Sequence, residues 1–167
     1  HQLLQNVLHG NDAAGAAVFV HHHRHVGLGL LELLQQRPDG LILQRIVDAV
    51  KDESFAVVYH NCGNTANVTL DSIFSCGANA YHFGNAVKME EVMEKAPSNI
   101  ICMGNVSPAE QFRGGTPESV RAATLDVMEK CCKYPNFVIS SGCDIPPLSS
   151  WDNIDAFFAA VDEFYHR

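Results

Sequence analysis

GANAYHFGNAVKMEEVMEKAPSNIICMGN, residues 77–105, sets the architecture of this 167-residue chain. Ala78 to Phe83 and Ile100 to Met103 are short apolar runs of strand type. Between them Met89 to Lys95 has helical spacing and is halted by Pro97. A strand, a helix and a second strand in such close order predict two parallel strands joined through a crossover helix.

The same rhythm extends outward. Upstream, Gly40 to Glu53 reads as a helix through Leu43, Ile46, Val47 and Val50, and FAVVYH (55–60) reads as a buried strand. Val68 to Ser75 is a helix that stops at Gly77. Downstream, Ser107 starts a short helix ending at Gly114-Gly115. Thr116-Pro117-Glu118 then supplies an N-cap, a proline at the first position and an acid in the first turn of a longer helix to about Lys133. Phe137 to Ser140 is the fourth strand. Trp151 to Tyr165 is a closing amphipathic helix with Ile154, Phe157, Phe158, Val161 and Phe164 on one side. The predicted class is α/β: a partial (β/α)8 barrel of about four βα units with a parallel sheet, where a complete barrel takes ~250 residues. No glycine-rich phosphate fingerprint opens any helix.

Residues 1–40 differ in character and stay unassigned, with residues 41–167 forming the barrel-like segment. Helices are predicted around 2–8 and 28–37, and His21-His22-His23-Arg24-His25 reads either as a metal-binding tract or as a solvated loop.

Composition narrows the function. A net charge of -8 with no block of Lys or Arg argues against a nucleic-acid groove or an anionic membrane patch. No apolar run is long enough to span a bilayer, and the first residues lack the pattern of a secretory signal. The expected location is cytoplasmic. The six cysteines show no disulfide framework, so free thiols are the simpler reading. Cys76, Cys131, Cys132 and Cys102 read as packed thiols.

His60, Cys62 and Cys143 stand apart. One imidazole and two thiols make a three-ligand set for zinc with the fourth position left for substrate. His60 ends one predicted strand, Cys62 lies just past it, and Cys143 follows another strand by a few residues. All three therefore belong to the rim formed by the carboxyl ends of parallel strands, where barrel active sites form. Gly63 and Gly142 are expected to give the backbone unusual turns beside them. The competing reading is that Cys62 and Cys143 are unrelated buried thiols. Asn64, His82, Asn105 and Asp144 are candidate substrate-binding groups near the rim. For Asn64, Asn105 and Asp144 a turn role competes, and for His82 a core histidine.

The strings YHNCGN (59–64), GNVSP (104–108), GTPESV (115–120) and SSGCDIPPLSSWDNIDAF (140–157) resemble the C-terminal half of the uroporphyrinogen decarboxylase superfamily. Within it they are most similar to the cobalamin-dependent methyltransferases that alkylate coenzyme M. The H-x-C…C zinc motif of those enzymes falls on His60, Cys62 and Cys143. The resemblance implies a TIM barrel in which zinc activates a thiol to attack a cobalt-bound methyl group. It also implies methylcobalamin or a corrinoid protein as methyl donor and a small thiol as acceptor. The alternatives are a metal-free porphyrinogen decarboxylase and a non-catalytic half-barrel. The arginines and aspartate that the decarboxylases carry in their N-terminal half have no counterpart here. Four parallel strands cannot close a barrel, so self-association or pairing with another half-barrel is expected.

Overall fold

The computed structural model describes residues 16–19 and 40–167. The predicted helices at 2–8 and 28–37 and the histidine run at 21–25 lie outside the described residues.

In chain order the elements are β1 (Ala16–Phe19), α1 (Gly40–Val50), β2 (Val58–Asn61), α2 (Leu70–Ser75), β3 (Ala80–Phe83), α3 (Met89–Lys95), β4 (Ile101–Val106), α4 (Pro117–Cys131), β5 (Phe137–Ser141) and α5 (Trp151–Tyr165). A 3-10 turn (Ala66–Val68) precedes α2, and a π-helical turn (Pro108–Arg113) precedes α4. The sheet order is β1-β2-β3-β4-β5. From β2 to β5 every neighbouring pair is parallel, and β1 joins β2 antiparallel. Four parallel strands alternating with helices make the α/β architecture of a partial (β/α)8 barrel.

Local chemistry accounts for the boundaries. Thr116 accepts from Ser119 N while the Ser119 hydroxyl answers the Thr116 backbone, a reciprocal cap that starts α4 just before Pro117. Ser150 caps α5 through Asp152 N, and Ser107 caps the π-helical turn through Glu110 N. Gly77 sits at φ 76 after α2, in the left-handed conformation that ends helices. Two strands differ from expectation. β2 begins only at Val58, because Phe55 closes a local bridge with Asp52 instead. β4 runs on through Gly104 and Asn105 to Val106, because β5 offers pairing partners as far as Ser141.

The two faces of the parallel sheet are treated differently. On the helix side, Tyr59, Tyr81 and Cys102 stand in one row of the register and are buried with Phe83, Met89, Val92 and Met93. A second cluster of Val106, Phe112, Val120 and Phe157 joins the π-helical turn, α4 and α5. On the other face the row is His60, His82, Met103 and Val138. There Val138 is 46% exposed and Ile101, two residues before Met103 on β4, 44%. Parallel strands are ordinarily covered on both faces.

Candidate metal centre

β2 and β5 are separated by β3 and β4, a span of ~14 Å at ordinary strand spacing. The chain after β5 closes that gap. Gly142 N donates to Val106 O (2.7 Å) at the end of β4. A Cβ on Gly142 would sit 2.7 Å from Asn85 N, just past β3, so the loop lies directly on the β3 end. This path brings Cys143 Sγ to 3.5 Å from His60 Nε2. The expected reason for Gly142 is corrected accordingly. Neither Gly63 nor Gly142 has positive φ; Gly142 is required by close approach rather than by an unusual turn.

Cys62 is placed from two sides. Asn61 Oδ1 accepts from Gly63 N (2.8 Å), and Asn61 Nδ2 donates to the Tyr59 hydroxyl (3.0 Å), which shapes the chain around Cys62. On the far side Gly84 packs so closely that an added Cβ would lie 2.6 Å from Cys62 Cα. The loop carrying Gly84 is held by Asn105, whose Nδ2 donates to Gly84 O (3.0 Å) and Val87 O (2.7 Å).

The donor atoms of His60, Cys62 and Cys143 all lie within 4.8 Å of one another. Zinc bonds of ~2.0 Å to nitrogen and ~2.3 Å to sulfur at a tetrahedral angle set N and S about 3.5 Å apart. That matches the His60–Cys143 distance, and an imidazole with two soft sulfurs suits zinc, so these residues fit the ion. His60 is buried, Cys143 half-buried and Cys62 exposed. Burial holds the His60 pKa below its ordinary value, and the neighbouring His82 lowers it further. A hydrogen bond to the His82 backbone and the charge of Asp144 oppose this. The balance favours the neutral ring, the form that binds metal. Burial pushes the Cys143 thiol up, against a hydrogen bond from the Asp144 backbone, with Cys62 and Asp144 adding to the rise. A cation there reverses that preference, since ligation removes the thiol proton.

The other sequence candidates separate. His82 lies beside the donor set: its ring stands 4.6 Å from the His60 ring, centroid to centroid, and its Nε2–H donates to Ser141 O (2.6 Å). Asn105 is buried and its amide is committed to the Gly84–Val87 loop. Asp144 and Asn64 are exposed. Cys76, Cys102 and Cys131 are buried in the core and Cys132 is half-buried, 3.9 Å from the Tyr165 hydroxyl. Sequence reasoning missed Gly84, Asn85 and Ser141. Only the Gly-Asn pair after β3 was visible as a signal, and it reads equally well as an ordinary turn.

The sequence profile described as uroporphyrinogen decarboxylase (URO-D) matches residues 40–164. A methylcobamide:CoM methyltransferase MtbA of Methanosarcina mazei is 32% identical over 111 residues, covering 66% of this chain and 31% of that protein. The MtbA of Methanosarcina acetivorans is 30% identical over the same shares. A uroporphyrinogen decarboxylase of Prochlorococcus marinus is 30% identical over 120 residues, 70% of this chain and 32% of that protein. A solved methyltransferase from Methanosarcina mazei superposes with a TM-score of 0.65 at 26% identity, over 75% of this chain and 35% of that one. The chain thus spans about a third of the length of these relatives. Among the described residues no helix is long and apolar enough to cross a membrane. With the profile matched from α1 into α5, the chain belongs to the uroporphyrinogen decarboxylase family.

Proposed function

We propose that this chain carries the metal-binding part of a zinc-dependent methyltransferase that moves a methyl group from a methylcorrinoid to a thiol such as coenzyme M. The observation that carries the reading is the convergence of His60, Cys62 and Cys143 from two strand ends onto one point. The similarity to methylcobamide:CoM methyltransferases supports it. When bound, zinc supplies the positive charge that lets a thiol ionise near neutral pH and orients it for attack. Neutral His60 offers nitrogen without first losing a proton, while Cys62 and Cys143 release theirs on ligation. The exposure of Cys62 leaves the centre open to a small thiol. Exposed Asn64 and Asp144 are the polar groups assigned to face that substrate. In the overall transfer a sulfur–carbon bond forms as the cobalt–carbon bond breaks. The electron pair stays on cobalt, and the thiol proton goes to solvent. The corrinoid, free or on a carrier protein, and the small thiol are the partners of this reading, and its compartment is the cytoplasm. A second half-barrel, from another copy or another protein, would cover the face carrying Ile101 and Val138; light scattering tests this, and a well-behaved monomer counts against it.

The test is zinc analysis of protein purified without a histidine tag, paired with a methylcobalamin–coenzyme M assay. Stoichiometric zinc and thioether formation are expected. Cys143→Ala should abolish both while far-UV circular dichroism keeps its helical signal. Unchanged zinc content would remove Cys143 from the ligand set. A second reading, porphyrinogen decarboxylation without metal, is favoured by the 30% identity to a uroporphyrinogen decarboxylase. Zinc-free protein that decarboxylates uroporphyrinogen would replace the first reading with the second.

A further inference from the structure

We propose that His82 is a positioning residue that holds His60 and Cys143 in a single metal-binding arrangement, through ring contact with the first and a hydrogen bond to the strand end from which the loop carrying the second departs. The proposal rests on the zinc reading above.

Four contacts form a closed circuit. The His82 ring lies 4.6 Å from the His60 ring at an interplanar angle of 35°. His82 Nε2–H donates to the Ser141 carbonyl at 2.6 Å, reaching from β3 past β4 to the end of β5. The Ser141 hydroxyl donates to the Cys143 carbonyl at 2.8 Å. Cys143 Sγ returns to His60 Nε2 at 3.5 Å. Because a carbonyl only accepts, the Ser141 bond also fixes a proton on Nε2 of His82. His60 and His82 face each other directly in the sheet register, so β2 and β3 themselves set the ring contact.

The circuit solves a particular problem. His60 and Cys143 come from strands that do not pair, and the register of the sheet alone leaves the post-β5 loop free to take several paths. A short hydrogen bond from the side chain next to His60 holds the last residue of β5, two residues before Cys143, where the loop leaves the sheet. Orientation of ligands by neighbours of this kind ordinarily governs affinity, with losses of about 10–100-fold when the neighbour is removed. His82 thus acts on metal affinity through the ligands, rather than by touching substrate.

The experiment is a zinc titration in competition with a chromophoric chelator, run on the wild-type chain and on His82→Ala, His82→Gln, His82→Phe and Val138→Ala. Gln keeps a donor and loses the ring; Phe keeps the ring and loses the donor. Val138 lies in the same row of the same sheet face and serves as the control. Expected are a loss of about 10–100-fold for Ala, smaller losses for Gln and Phe, and no change for the control, all at unchanged stoichiometry in excess zinc. Wild-type affinity in His82→Ala overturns the proposal, as does a loss in Gln and Phe equal to that in Ala. Should Ala fail to fold, the other two decide: both must bind zinc more weakly than wild type, and wild-type affinity in either overturns the circuit. If the wild-type chain binds no zinc, or Cys143→Ala keeps its zinc, the metal reading itself is lost. If those two behave as expected and the His82 variants do not, only the positioning role falls.

Discussion

Gly84→Ala adds one methyl group, removes no ligand, and should nonetheless weaken the metal centre. The added Cβ would lie 2.6 Å from Cys62 Cα and 2.8 Å from Cys62 Cβ, where ordinary contact begins at 3.4 Å. Cys62 must recede by about 0.8 Å, or the Gly84 loop must move by the same amount. The loop resists, since Gly84 N donates to Asn61 O (2.9 Å) and Gly84 O accepts from Asn105 (3.0 Å). Metal–ligand distances tolerate only ~0.2 Å, so most of the shift must be undone on binding. Overpacking of this kind costs about 1–3 kcal/mol, and each 1.4 kcal/mol paid at the ion is tenfold in affinity. We expect zinc affinity to fall by about 10–100-fold, with a lower urea midpoint in the apo protein. Chelator competition and urea unfolding measure the two effects. Wild-type affinity together with wild-type stability would refute the close packing of Gly84 on Cys62.

Asn105→Ala leaves two carbonyls of the Gly84–Val87 loop without their donor and should cost about 1–3 kcal/mol; an unchanged urea midpoint would show that the loop is held by other means. Burial pushes Cys102 up to about 12 and Cys131 up to about 11, from an ordinary value near 9. Both keep their protons in the fold where the unfolded chain has lost them. Stability is therefore complete below pH 9 and falls as pH rises towards 11 and 12. Cys102 alone accounts for at most about 1.4 kcal/mol per pH unit in that window. Denaturation at pH 8 and pH 10 checks the sign, and equal midpoints would contradict it. Cys131→Ala should leave zinc content unchanged, because the thiol is buried in the helix-side core and does not belong to the donor set; lost zinc would show that the ligand assignment is wrong.

Much of the fold was legible because local chemistry agrees with the tertiary result. The Met89–Lys95 and Trp151–Tyr165 helices match their expected bounds, one stopped before Pro97 and the other capped by Ser150. The antiparallel strand Ala16–Phe19 was not legible, since its pairing with Val58–Asn61 is a long-range property that no local signal announces. The donor triad was readable as residue types at strand ends. Its convergence on one rim was an expectation from that placement; the route was not legible, because it depends on Gly142 crossing the ends of two intervening strands. Asn105 was visible as a rim amide, but the sequence gives no hint that its hydrogens are spent on the Gly84 loop. His82 likewise read as a pocket residue or a core residue, while its bond to Ser141 lies between positions 59 apart.

His60 and Cys143 are 83 positions apart along the chain. An ion gripping both would act as a clasp across three strand-to-strand joints. Because such an ion binds the folded chain and not the unfolded one, it stabilises by mass action, about 2.7 kcal/mol at a hundredfold excess over its dissociation constant. The reactive centre and the fastening of the sheet would then be the same object. Stripping the ion would silence the chemistry and undo the clasp together, while the helices and the sheet stay folded on their own core.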